Sequence, residues 1–157
     1  MAPTSDDPAT AASAGLQGIS GWLVLPAIGT FLAPFFYVYD IVDVVRHFSP
    51  SLPAAMQGAF AVAVAIDIVM IAGWGVAIHA LVKKRPLYPK LFIVLIVVTL
   101  IMSVAATVFI MEFFRQELRL SDIRDTVMAA MAVAIWCPYM LLSKRVRATF
   151  GWPRPRG

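Results

Sequence analysis

The chain has 157 residues, of which 61% are hydrophobic and 14% charged, with a net charge of +4. Soluble domains carry about 25% charged residues, so this composition argues against an ordinary water-soluble domain. The Lys and Arg residues flank apolar runs and form no separate basic domain, which argues against nucleic acid as a partner.

In chain order, residues 1–18 are rich in Ala, Ser, Thr and Pro and carry Asp6 and Asp7. They read as a flexible cytoplasmic tail. The tail has no Lys or Arg, so the positive n-region of a secretory signal is missing, and the first apolar run is expected to be retained as a span. Four apolar runs follow, Ile19–Tyr39, Gln57–Val82, Leu91–Phe114 and Val127–Leu142. A helix needs about 20 mostly apolar residues to cross about 30 Å of hydrocarbon. Three runs meet that length, and the fourth reaches it with Thr126 and snorkelling flanking charges. The predicted fold is an all-α, integral membrane four-helix bundle with spans at 19–39, 57–82, 91–114 and 126–142, followed by a basic cytoplasmic tail, 143–157. Four spans with short links use nearly the whole length and leave no room for a soluble catalytic domain.

The links differ in character. In Asp40–Met56, Asp43 precedes Arg46 and His47 at helical pairing distance, so the first helix can run past the membrane until Ser49-Pro50 stops it. Ser51 is a candidate cap for the second helix, with Pro53 in its first turn. Lys83–Lys90, broken by Pro86 and Pro89, predicts a tight hairpin between spans two and three. Ser121 or Asp122 can cap the fourth helix, with Asp122 and Asp125 suited to its positive end. Arg124 with Asp125, Glu112 and Glu117 suggests a salt-bridged rim. Lys83, Lys84, Arg85, Lys90, Lys144, Arg145, Arg147, Arg154 and Arg156 fall on one side, against Arg46, Arg115, Arg119 and Arg124 on the other. The positive-inside rule then places both termini in the cytoplasm.

Small residues at four-residue spacing, Gly29 with Ala33 and Ala55 with Ala59 and Ala63, read as helix-packing positions. Trp22 marks one membrane interface, and Tyr37 and Tyr39 the other. Pro138 removes a backbone donor within the fourth helix, and Trp136 and Tyr139 beside it are interfacial anchors.

Asp67 is the sharpest polar signal. It lies near the centre of the second span, about 15 Å from either end at 1.5 Å per residue. An acidic group there costs about 2.5–3.5 kcal/mol on insertion scales. Ser103 and Thr107, with Thr99 on the same face of the third span, offer partners, and Thr30 is expected at matching depth on the first. Two readings stay open. Asp67 is either a protonated structural group bonded to Ser103 or Thr107, or a group that exchanges a proton or binds a cation in a small cavity. His79 lies twelve residues away, about 18 Å along the helix, and reads as interfacial beside Lys83 and Lys84.

The stretch Gly18-Ile19-Ser20-Gly21-Trp22-Leu23-Val24-Leu25-Pro26 resembles the opening of the domain-of-unknown-function-2569 family of small bacterial multipass membrane proteins. The end, Ile135-Trp136-Cys137-Pro138-Tyr139 followed by Ser143-Lys144-Arg145-Val146-Arg147-Ala148-Thr149-Phe150, is similar to that family's closing motif, and Lys-Lys-Arg-Pro…Tyr-Pro to its middle loop. The resemblance implies four spans and a bacterial cytoplasmic (inner) membrane location. It supplies no mechanism.

Enzymatic signatures are absent. There is no zinc helix, nucleophile elbow, phosphate loop or dinucleotide fingerprint, and the single Cys137 makes neither a zinc site nor an internal disulfide. No cofactor or metal is expected. The expected function is that of a non-catalytic membrane component acting through helix or lipid contacts. Its partners are then the bilayer, anionic lipid at Lys144, Arg145 and Arg147, other membrane proteins, or further copies of itself. The alternative is a small proton- or cation-coupled carrier built on Asp67.

Overall fold

The computed structural model describes residues 21–114 and 120–151. A short 3-10 turn, Gly21–Leu23, leads into α1 (Val24–His47). Then come α2 (Ala54–Val82), α3 (Leu87–Phe114), α4 (Leu120–Leu142) and a short α5 (Lys144–Phe150). Among the described residues there is no strand. Four helices are long and apolar enough to cross a membrane, with mean hydropathy of 1.6, 2.2, 2.9 and 1.5 in chain order. Their large side chains are widely exposed, among them Phe35, Phe36, Val69 and Leu142. Helices apolar all round and this poorly buried need lipid, not water, around them.

Packing follows chain order, with α1 on α2, α2 on α3 and α3 on α4. α1 and α4 are separated by a groove. Between α2 and α3, the Leu95 side chain packs over Gly73, where an added Cβ would come within 2.8 Å of its Cδ2. Gly29 differs, because a Cβ there would meet open space. Gly29 therefore lines the groove and is not pressed against a neighbouring helix, while Ala33 beside it is half-buried against the core.

The bundle is sealed at one end. Leu23, Leu81, Tyr88, Met140, Val146 and Phe150 are almost completely buried there. α5 folds back beneath the helices, and the Phe150 ring lies 4.9 Å from that of Tyr88. The Ser143 side chain caps α5 by accepting from the Val146 N–H, and Gly151, at φ 62°, ends it in the left-handed conformation.

Several boundaries differ from the expectations. The turn between α2 and α3 is shorter than Lys83–Lys90, because Pro89 sits in the first turn of α3, where the missing N–H has no helical partner to lose. Tyr88 is thereby a fully buried helical residue. The end of α2 closes by bonds from Lys84 N–H to Leu81 O and from Arg85 N–H to Ala80 O, with Lys84 at φ 49°. This is the Schellman arrangement with lysine where glycine is usual.

At the start of α2, Ser51 makes no cap. It bonds Ser49, while Gln57 Nε2 reaches back to the carbonyls of Pro50 and Leu52. α1 runs to His47, whose ring lies 3.5 Å from the Asp43 carboxylate. Pro34 stands inside α1 and gives the Thr30 carbonyl no N–H. Ser121 and Asp122 lie in the first described turn of α4, with side chains outside the described residues. Residues 1–20, Glu112, Arg115, Glu117, Arg119, Arg154 and Arg156 also carry expectations that lie outside what is described.

Candidate functional site

The half of the bundle away from α5 is open. A cavity of about 690 Å³ is lined from all four long helices, with Tyr37 and Asp40 on α1, Asp67 on α2, Ser103 and Thr107 on α3, and Arg124 and Asp125 on α4. A second cavity, about 410 Å³, is the groove between α1 and α4, floored by Trp74, Phe92 and Ile96. The two share Phe36, Tyr37, Asp40, Thr99, Asp125 and Ala129.

The hydroxyls around the central cavity are committed to one another. Thr107 Oγ1 donates to the Ser103 carbonyl, and the Thr126 hydroxyl lies 2.9 Å from Ser103 Oγ and 3.1 Å from Thr107 Oγ1. Each hydroxyl has one proton. The Thr107 proton is used, so Thr126 donates to Thr107 and Ser103 donates to Thr126, a closed clasp between α3 and α4. Thr99 Oγ1 donates to the Leu95 carbonyl, so the Tyr37 hydroxyl, 2.7 Å away, donates to Thr99. Tyr37 therefore turns inward as an α1–α3 clasp, where the sequence suggested an interfacial anchor.

Asp67 is half-buried on the cavity wall and makes no hydrogen bond among the described residues. Ser103 and Thr107 share its cavity but bond Thr126, which differs from the structural reading of Asp67. Thr30 is not in this cavity. It is fully buried near the sealed end, donating to the Pro26 carbonyl at 2.7 Å and accepting from the Tyr88 hydroxyl at 3.0 Å. The depth match expected from residue counting fails because the first helix runs from Val24 on to His47, which leaves Thr30 only about 9 Å from its start, while Asp67 lies mid-way along Ala54–Val82. His79 is exposed near the sealed end.

At the wide mouth, Arg124 Nε lies 3.4 Å from Asp125 Oδ1, and both are exposed. No group of three or more His, Cys, Asp or Glu residues that could hold a metal ion occurs among the described residues.

The motif residues gather at the opposite end. Gly21 has φ +59°, and an added Cβ would lie 2.9 Å from an Arg145 guanidinium nitrogen. Thr149 and Phe150 are buried, Trp22 is exposed, and Trp136 and Tyr139 meet edge to face at 5.9 Å. Pro138 lies within a continuous α4. Of the three basic residues assigned to lipid head groups, Arg147 donates to the Leu141 carbonyl at 3.0 Å, Arg145 lies against Gly21, and Lys144 is exposed.

No curated protein and no solved structure matches the chain. Residues 16–151 match the family described as Protein of unknown function (DUF2569). Since that match takes in both the Gly21-Trp22 opening and the Ser143–Phe150 segment docked against it, the chain belongs to the DUF2569 family of proteins of unknown function.

Proposed function

We propose that this multipass membrane protein is a non-catalytic carrier that takes up a proton or small cation at Asp67 from the open end of the bundle. One observation carries the reading. A mid-span carboxyl lines a cavity reached by all four long helices and has no hydrogen-bond partner among the described residues, while the nearby hydroxyls are satisfied elsewhere. A carboxylate at that depth is unfavourable unless a proton, a cation or water compensates it. Asp40 and Asp125 add negative charge along the route, offset in part by Arg124.

We place the protein in the cytoplasmic membrane with both termini inside. Lys83, Lys84, Arg85, Lys90 and the α5 basic residues cluster at the sealed end, which supports this orientation. The open end then faces outward.

The test is flux in proteoliposomes. A pH jump or cation gradient should drive flux through the wild type, and Asp67→Asn should abolish it while leaving the helical circular dichroism and melting temperature intact. Equal flux in wild type and Asp67→Asn would refute the proposal.

A further inference from the structure

The sealed end carries a charge pattern that cation uptake at Asp67 does not use. Lys83, Lys84 and Arg85 in the α2–α3 turn are exposed, as are Lys90 on α3 and Lys144 on α5. Arg145 and Arg147 bring the cations at this end to seven. The stretches that reach it, residues 21–39, 68–111 and 126–151, contain no Asp or Glu. Asp6 and Asp7 can offset two of the seven charges at most. At the open end, by contrast, Arg46 and Arg124 stand among Asp40, Asp43 and Asp125.

The fold gathers this charge from two segments far apart in sequence. The Tyr88 N–H donates to the Arg85 carbonyl at 3.1 Å, and the Tyr88 ring packs on Phe150. The basic turn is thereby set beside the basic helix α5. Orienting the spans needs positive charge near their ends, but it does not need α5 to be capped, docked and buried. Of the three α5 residues assigned to lipid from sequence, Arg145 is set against Gly21 and Arg147 is bonded to the Leu141 carbonyl. Lys144 is the exposed one, and the turn supplies the further free-standing charge beside it.

Like charges crowded on one surface repel each other, so this surface favours an anionic partner. The apolar side chains around it decide which. Val82, Leu87 and Leu142, at the ends of α2, α3 and α4, are exposed, and so is Trp22. They carry the lipid-facing surface of the spans up to the basic residues. Exposed apolar span ends flanked by Trp, Lys and Arg match the headgroup region of a bilayer, where long basic side chains reach the phosphates. An acidic soluble protein would leave that apolar rim unmatched.

We infer that the surface formed by the α2–α3 turn and α5 binds the phosphodiester head of an anionic membrane lipid. Lys83, Arg85 and Lys144 are the principal contacts, and the lipid chains run along Val82, Leu87 and Leu142.

The test is calorimetric titration of the purified full chain in a neutral maltoside detergent. The probes are dioctanoyl phosphatidylglycerol, dioctanoyl phosphatidylcholine, inorganic phosphate and hexaglutamate. Wild type should bind phosphatidylglycerol at least about tenfold tighter than phosphatidylcholine, and each basic contact should be worth about fivefold. Lys144→Gln should therefore weaken phosphatidylglycerol about fivefold, and Lys83→Gln combined with Arg85→Gln about 25-fold. Both variants should keep the wild-type melting temperature, because the altered side chains are exposed. Arg46→Gln removes the same charge from the opposite end and should leave the affinity within about twofold.

Equal affinities for the two lipids would overturn the inference. Inorganic phosphate binding as tightly as phosphatidylglycerol would make this a soluble-anion site, and tighter binding of hexaglutamate would assign the surface to an acidic protein; either result refutes the lipid. A loss in Arg46→Gln as large as that in Lys144→Gln would reduce the effect to net charge and overturn the assignment to this end. Asp67→Asn should leave phosphatidylglycerol binding unchanged, so this inference and the carrier proposal stand or fall separately.

Discussion

Gly21 is where backbone conformation and packing coincide. Its φ of +59° is a region in which a side chain costs about 1–2 kcal/mol, and the Arg145 guanidinium occupies the space a Cβ would take. Gly21→Ala should therefore destabilise the protein by about 2 kcal/mol, read as a lower melting temperature in detergent, and Arg145→Ala in the same chain should recover only the steric part. Lys84 presents the opposite case. It sits at φ 49° in a helix-ending motif that favours glycine, and no positive-φ role requires its side chain. Lys84→Gly should leave stability unchanged or raise it by up to about 1 kcal/mol, and a drop in melting temperature would show that the lysine side chain supports the turn.

Among the elements, α5 shows how a short segment becomes structural. Seven residues cannot hold a helix alone in water. Here the Ser143 cap and the burial of Val146, Thr149 and Phe150 fix it under α3. Phe150→Ala should remove that anchor at about 3–5 kcal/mol, seen as rapid proteolysis after Leu142 while the four long helices persist. The four apolar runs were legible because each is long and almost free of charge, and lipid tolerates little else. The α3 start was not, since Pro86 and Pro89 look alike as breakers and only the position within a first turn makes Pro89 harmless. Tyr37 and Tyr88 were missed for a related reason. Tyr37, near a run's end, reads as an interfacial anchor and Tyr88 as part of a link, and only the three-dimensional pairing with Thr99 or Thr30 shows each turned inward. Asp67 was visible as a lone mid-span charge. Its partners could not be read, because the preference of Ser103 and Thr107 for Thr126 depends on how α4 sits against α3.

The molecule as a whole is asymmetric, tightly filled at the α5 end and hollow at the other. Tyr88, Phe150, Met140 and Leu81 exclude water from the sealed half, whereas Asp40, Arg124 and Asp125 are exposed at the open mouth. Combined with the proposed orientation, this asymmetry makes a sidedness prediction. In a Cys137→Ser background, Ala63→Cys and Met102→Cys place single thiols on the central cavity wall. A membrane-impermeant thiol reagent added to the outer face of intact cells should label both. The same reagent applied to inverted vesicles should leave both unlabelled while modifying a cysteine introduced at Lys144, which is exposed beside the sealed end. Labelling of Ala63→Cys and Met102→Cys from the Lys144 side would mean that the cavity opens through the packed half, and Asp67 would then take its cation from the cytoplasm.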